Sequence, residues 1–281
     1  ANGDSVILFN FRGDRAQEIS LAFDRKDFDK FDRGDYTGVK FAGMLEYDGD
    51  LKIPEHYLVE PPVIKNTLTE VLCKAGVHEY AVSETQKYGH VTYFWNGNRS
   101  GKFSEELEEY IEIPSDVVPF EQRPWMKCAE ITDVLIEKLR SGRFDFLRVN
   151  FPNGDMVGHT GSFEATVVAM EALDLCLARI LRVVDELRGI AIITADHGNA
   201  DEMYEISKKT GEPARNADGT PKAKTSHTLN PVPCILYDNF YTDAYTCIDG
   251  AYGLANVAAT VVTLAGLTPP DCWEKSMVAL K

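Results

Sequence analysis

Five side chains in three short stretches have the types and spacing to hold metal ions. In Asn150-Phe-Pro-Asn-Gly-Asp155-Met-Val-Gly-His159 an acid and an imidazole stand four residues apart. That spacing brings two side chains to one side of a helical turn, and carboxylate oxygen with imidazole nitrogen suits a divalent ion of the Zn or Mn kind. Asp196-His197-Gly198-Asn199 ends the apolar run Gly189–Ala195. An acid and an imidazole are costly beside an apolar core unless something pairs with them, each other or a metal. His227 closes Thr225-Ser226-His227, after the Lys-rich stretch 208–224.

Each stretch has an ordinary alternative. Asp155 could cap the helix that follows, Asp196 and His197 could be a turn acid beside a hydrogen-bonded imidazole, and His227 could be an exposed loop residue. Together they point to metal. Three of the chain's six His, with two acids beside them, suffice for two divalent ions, and paired ions stabilise the attacking and leaving oxygens of phosphoryl transfer. Because ionised carboxylate and neutral imidazole are the binding forms, affinity is expected to fall in acid.

Basic residues fit the same chemistry. Arg12 and Arg15 flank a turn, and guanidinium forks grip phosphate or carboxylate with two bonds. Lys87, in Ser83-Glu-Thr-Gln-Lys-Tyr-Gly-His90, could add a point charge. Each could equally be a solvated surface cation.

The elements that must position these groups alternate. Strands are predicted over Ser5–Phe11, Lys40–Leu51, Glu79–Ser83, Val91–Trp95, Phe144–Phe151, Ile190–Thr194 and Cys234–Tyr237. Helices are predicted over Ala16–Phe23, Thr67–Ala75, Met126–Leu139, Glu164–Leu187 and Leu254–Leu264, and Ser115 reads as an N-cap near Pro119. Strands alternating with long helices mean an α/β fold with a mostly parallel sheet. Such sheets bind ligands at the carboxyl ends of their strands, which is where the three clusters fall. Glu60-Pro61-Pro62 is the clearest linker signal.

The chain has 281 residues, 44% hydrophobic and 26% charged, enough apolar content for a sizeable core. A net charge of −15 argues against nucleic acid or anionic membrane as the main partner. No stretch is long enough to span a membrane. The six Cys include no C-x-x-C pair and several lie in apolar runs, so free buried thiols in a reducing compartment are expected. The start at Ala1-Asn2-Gly3-Asp4, with neither Met nor signal peptide, reads as a chain that begins mid-protein.

Taken jointly, Phe9-Asn-Phe-Arg-Gly-Asp-Arg15, Glu84-Thr-Gln-Lys-Tyr-Gly-His-Val91, Asn150–Gly161, Thr194-Ala-Asp-His-Gly-Asn199 and Thr225-Ser-His227 resemble the C-terminal half of the cofactor-independent phosphoglycerate mutases, within the alkaline phosphatase superfamily. The resemblance implies an alkaline-phosphatase-like α/β domain over 61–281, with the tail of a second α/β domain, the phosphotransferase, over 1–60. It implies Asp155, His159 and His227 on one divalent ion, Asp196 and His197 on a second, Arg12 and Arg15 on phosphoglycerate, and Lys87 in the active site. The ions would be Mn or Co, with Zn allowed by the donor set. The implied reaction is interconversion of 3- and 2-phosphoglycerate through a phosphoserine, without 2,3-bisphosphoglycerate, in a cytoplasmic enzyme that is a monomer when complete. The serine, a further Asp ligand and most of the phosphotransferase domain would lie in an N-terminal half outside this chain, leaving the isolated chain catalytically incomplete. The rival expectations are another metal-dependent phosphatase or phosphopentomutase of the same superfamily, and a non-catalytic metal-binding fragment. Residues 208–224 read as a surface insertion to which no chemistry is assigned.

Overall fold

The computed structural model describes residues 3–11, 13, 16–34, 36, 38–49, 51–60, 64–99 and 101–281. The chain divides into two compact units, one of residues 1–65 with 97–101, the other of 66–96 with 102–281.

In the first unit β1 (Ser5–Leu8) pairs in parallel with β2 (Lys40–Gly43), joined through helix α1 (Ala16–Asp24). Strand β2 stops at Gly43, well short of the predicted Leu51. The chain there turns around the buried Tyr47, whose hydroxyl donates to the Asn10 carbonyl at 2.8 Å and accepts from Met44 N–H at 3.1 Å. Strand β1 likewise ends at Leu8, three residues before the predicted Phe11. Of the turn expected at 12–15, Arg12, Asp14 and Arg15 lie outside the described residues, as do Pro61 and Pro62 of the predicted linker.

The second unit is built on a parallel sheet in the order β4 (Glu108–Ile113), β3 (Glu79–Glu84), β5 (Phe146–Asn150). Side chains alternate across a strand. Tyr80 and Val82 of β3, with Leu147 and Val149 of β5, therefore meet Ile131 and Leu135 of α4 (Cys128–Arg140) and Ile180 and Val184 of α6 (Phe163–Glu186). Phe146 turns to the other face, where Leu68 and Leu72 of α2 (Leu68–Lys74) pack against Val262 of α7 (Ala255–Leu264). Helix α6 starts where Ser162 accepts a hydrogen bond from Ala165 N–H, an N-cap contact.

Two antiparallel pairs complete the unit: β6 (Ala191–Thr194) with β7 (Cys234–Tyr237), and β8 (Tyr245–Cys247) with β9 (Val278–Leu280). Ala191 and Tyr237 pack on the same core as β5. Among the described residues, β5 and β6 each pair along one edge only.

Three expectations need correcting. The predicted strand Val91–Trp95 is instead the end of helix α3 (Thr85–Val91) followed by turns. Its fold role explains this: the Val91 carbonyl accepts from Arg148 Nε at 2.9 Å, and Trp95 covers the Arg148 guanidinium. Ser115 starts no helix; its N–H donates to Thr85 Oγ1 at 3.1 Å, and a single 3-10 turn begins after Pro119. The six thiols are free as expected, but only Cys128 and Cys176 are buried, and Cys234, Cys247 and Cys272 are exposed. Among the described residues no helix is long and apolar enough to cross a membrane.

Candidate metal centre

Strand β5 ends at Asn150, and α5 (Asn153–Gly158) follows within three residues. Asn153 seats this short helix by donating from Nδ2 to the carbonyls of Pro124 (3.1 Å) and Trp125 (2.9 Å). Val157, fully buried with Met126 and Ala169, pins it from the other side. One turn then brings Asp155 and His159 together, with Asp155 Oδ1 3.1 Å from His159 Nε2. His227 arrives from a loop 68 residues further along, its Nε2 3.1 Å from His159 Nε2 and 3.0 Å from Asp155 Oδ1.

These three atoms form a nearly equilateral triangle. Two donors about 2.1 Å from one ion and about 90° apart stand about 3.0 Å from each other, so the spacing is that of three adjacent ligands. The protonation pattern agrees. His159 Nδ1 lies 2.6 Å from the Thr225 carbonyl; a proton there leaves the Nε2 lone pair facing its two neighbours. Burial and the adjacent His197 ring hold His227 below its ordinary pKa range, favouring neutral imidazole. Burial is the largest influence on Asp155 and opposes its ionisation. Donors from Lys87 and Asn199 outweigh it and hold the carboxyl at about 2. Oxygen and nitrogen lone pairs crowded to 3 Å suit a shared cation, and the O/N donor set fits Mn, Co or Zn.

Lys87 lies on α3, just past the end of β3, and is almost wholly buried. Its Nζ reaches Asp155 Oδ2 at 2.7 Å, leaving Oδ1 for the triangle. Asp196 and His197 follow β6. The His197 ring stacks on His227 with centroids 3.6 Å apart, and its Nε2 stands 3.6 Å from Asp196 Oδ2 and 4.0 Å from Asp155 Oδ1. Among the described residues only Asp155, His159 and His227 converge as a set of three; Asp196 and His197 form a pair beside them. Six of the sequence-predicted side chains, Lys87, Asp155, His159, Asp196, His197 and His227, thus gather in one cluster, while Arg12 and Arg15 lie outside the described residues.

Sequence reasoning passed over Asn199, which is buried and donates from Nδ2 to Asp155 Oδ1 (2.9 Å) and to the Asp155 carbonyl (3.1 Å). The available signal was Gly158: a Cβ there would stand 2.4 Å from Asn199 Oδ1. Gly198 has a matching reason, since its Cβ would fall 2.1 Å from Thr228 Oγ1 and 2.5 Å from Asp201 Oδ1.

Comparison with known proteins places this geometry in a family. The Metalloenzyme superfamily matches residues 14–269, nearly the whole chain. The chain belongs to the Metalloenzyme superfamily. Over 277 residues it is 52% identical to a Leptospira interrogans protein named "Probable 2,3-bisphosphoglycerate-independent phosphoglycerate mutase", covering 99% of this chain and 50% of that protein. Over 280 residues it is 50% identical to the 2,3-bisphosphoglycerate-independent phosphoglycerate mutase of Trypanosoma brucei brucei, with the same coverage. Crystal structures of Leishmania mexicana phosphoglycerate mutase at low cobalt concentration include a chain that superposes with a TM-score of 0.93 at 47% identity, across 99% of this chain and 51% of that one. The chain spans about half the length of the curated relatives it matches. The expected mostly parallel α/β fold matches this neighbour, although two of the strand pairs are antiparallel.

Proposed function

We propose that this chain is the metal-holding half of a cofactor-independent phosphoglycerate mutase, which interconverts 3- and 2-phosphoglycerate through a phosphoserine and without 2,3-bisphosphoglycerate. The observation that carries the reading is the triangle of Asp155 Oδ1, His159 Nε2 and His227 Nε2, with edges of 3.0–3.1 Å, at the carboxyl ends of the strands. Asp155, His159 and His227 would hold one divalent ion, and Asp196 with His197 part of a second. Mn or Co are the favoured ions, and the cobalt in the Leishmania mexicana work supports that choice. When bound, such ions polarise phosphoryl oxygens and lower the pKa of a coordinated hydroxyl.

The remaining chemistry falls to the chain's own side chains. Lys87 Nζ, buried against Asp155 Oδ2, neutralises one carboxylate charge and keeps two further N–H donors for a phosphoryl oxygen. Asn199 fixes which Asp155 oxygen faces the triangle. The Thr225 carbonyl fixes the His159 tautomer. Arg12 and Arg15 would grip the carboxylate or phosphate of the glycerate with paired N–H bonds. The nucleophilic serine would come from sequence that fills out the relatives' length; the half-paired edges of β5 and β6, both packed on α6, support a further strand from the same source. We assign residues 1–60 to the tail of the phosphotransferase domain and 61–281 to most of the phosphatase-like domain, in a cytoplasmic enzyme that is a monomer when complete.

The test is turnover of 3-phosphoglycerate, ribose 5-phosphate and an aryl phosphate with Mn(II) and no 2,3-bisphosphoglycerate, on this chain alone and joined to the remaining half of the relatives' length. Metal-dependent mutase activity is expected only from the joined protein. Aryl phosphate hydrolysis without glycerate interconversion would instead favour a phosphatase of the same superfamily. Metal uptake with no turnover of any of the three, from the joined protein, would favour a non-catalytic metal-binding role.

A further inference from the structure

His227 stands apart from the other two members of the triangle. Asp155 lies on α5 and His159 caps its C-terminus, its N–H donating to the Asp155 carbonyl at 3.0 Å, so their spacing is set by one helical turn. His227 belongs to another loop, reached after the excursion 204–223, and its side chain is 44% exposed. Burial alone does not hold its ring.

The tether lies at the next residue. Thr228 is buried, and its N–H donates to the Gly198 carbonyl at 2.9 Å. Its hydroxyl donates to Asp201 Oδ2 at 3.0 Å, and Asn230 Nδ2 donates to the same oxygen at 2.6 Å. Asn230 N–H lies 3.4 Å from Thr228 Oγ1, closing a small ring. Burial is the largest influence on the Asp201 carboxyl and raises its pKa, but the Asn230 and Thr228 donors win and hold it below the usual range. The approach is so close that only hydrogen fits at the Gly198 Cα. Thus the loop of residues 225–230 is fastened, at the residue after His227, to the loop that carries His197.

We propose that Asp201 is a positioning residue for the metal centre: by accepting from Thr228 and Asn230 it sets His227 against Asp155 and His159. This rests on the reading of that triangle as a metal site. Outer partners that orient a ligand typically change metal affinity 10–100-fold when removed, and Asp201 acts one residue further out, through the backbone of its neighbour.

The experiment is Mn(II) titration of the protein, with free Mn(II) read by electron paramagnetic resonance, for wild type, Asp201→Ala, which removes the acceptor of both bonds, Thr228→Val, Thr228→Ser and the Asp201→Ala/Thr228→Val pair. Urea midpoints are measured on the same metal-free samples. Expected are losses of affinity of about tenfold or more in Asp201→Ala and Thr228→Val, with metal-free midpoints close to wild type. The double variant should bind no worse than the weaker single, because both cut one contact. Thr228→Ser keeps the hydroxyl and should stay within about twofold of wild type. Wild-type affinity in both single variants would overturn the proposal. So would a Thr228→Ser loss equal to that of Thr228→Val, or losses that simply follow falling metal-free midpoints. If wild type takes up no Mn(II) while remaining folded, the metal reading itself fails, a result distinct from these.

Discussion

On the sheet face away from α4 and α6, Glu79 and Arg148 form an ion pair with almost no water contact, which makes stability depend on pH. Arg148 Nη1 donates to Glu79 Oε2 at 2.8 Å, with side-chain exposures of 5% and 0%. Thr69 Oγ1 also donates to that carboxylate at 3.1 Å, while Glu108 approaches through the Cys73 thiol they share. Burial is the largest influence on Glu79 and raises its pKa; Arg148 and Thr69 lower it, and Glu108 raises it again. The outcome is a carboxyl pushed up to about 7 from 4.5. The folded state therefore holds a proton that the unfolded chain has released between these values. Stability falls as pH rises through that window. With 1.36 kcal/mol for each unit, the full cost above pH 7 is about 3 kcal/mol. Glu79→Gln removes the titration and keeps an oxygen for Arg148. Urea unfolding by tryptophan fluorescence, with Trp95 stacked on Arg148 as a reporter, should show the variant gaining on wild type by about 2–3 kcal/mol between pH 5 and pH 8. Parallel pH profiles, or a gain for wild type, would mean that Arg148 keeps Glu79 ionised and that the ion pair outweighs burial.

Other perturbations have equally definite outcomes. Asp155→Ala should abolish Mn(II) uptake while circular dichroism shows a retained fold, since the carboxylate lies past the strand end and outside the core; near-wild-type uptake would count against the triangle. Mn(II) at 100 times its Kd should raise wild-type stability by about 2.7 kcal/mol, with no rise in the Asp155→Ala protein. Gly198→Ala must force Thr228 and Asp201 away from a Cβ placed 2.1 and 2.5 Å from their oxygens, so Mn(II) affinity should drop about tenfold or more. Ile131→Ala, fully buried between α4 and the sheet, should cost about 2–5 kcal/mol in urea, whereas Arg140→Ala, which breaks an exposed pair with Glu186, should cost under about 1 kcal/mol.

What could be read from the sequence follows from which signals are local. Helix α6 was legible almost to its ends, because its apolar residues repeat at helical spacing over 24 residues and Ser162 caps it. The Asp155 and His159 spacing was legible because four residues on a helical turn is itself a distance. Strand β4, Glu108-Glu-Tyr-Ile-Glu-Ile113, went unread: three Glu in six residues argue against a strand. Its acids are met in part by residues far along the chain: Glu108 by Cys73 as well as by the nearby Tyr110 and Ser104, and Glu109 by Lys138 (2.6 Å) and Arg143 (2.9 Å). Helix α3 was hidden in the same way, with Gly89 inside it and no side-chain cap, its Lys87 buried by pairing with Asp155. Asp201 and Thr228 look like loop polar residues until Gly198 brings them into contact across 27 positions.

Whether Asp155, His159 and His227 share one divalent ion is decided by anomalous scattering from a crystal of the protein grown with Mn(II). A Mn peak is expected about 2.0–2.3 Å from Asp155 Oδ1, His159 Nε2 and His227 Nε2 together. Ordered Mn(II) elsewhere on the chain, with no peak inside that triangle, would contradict it.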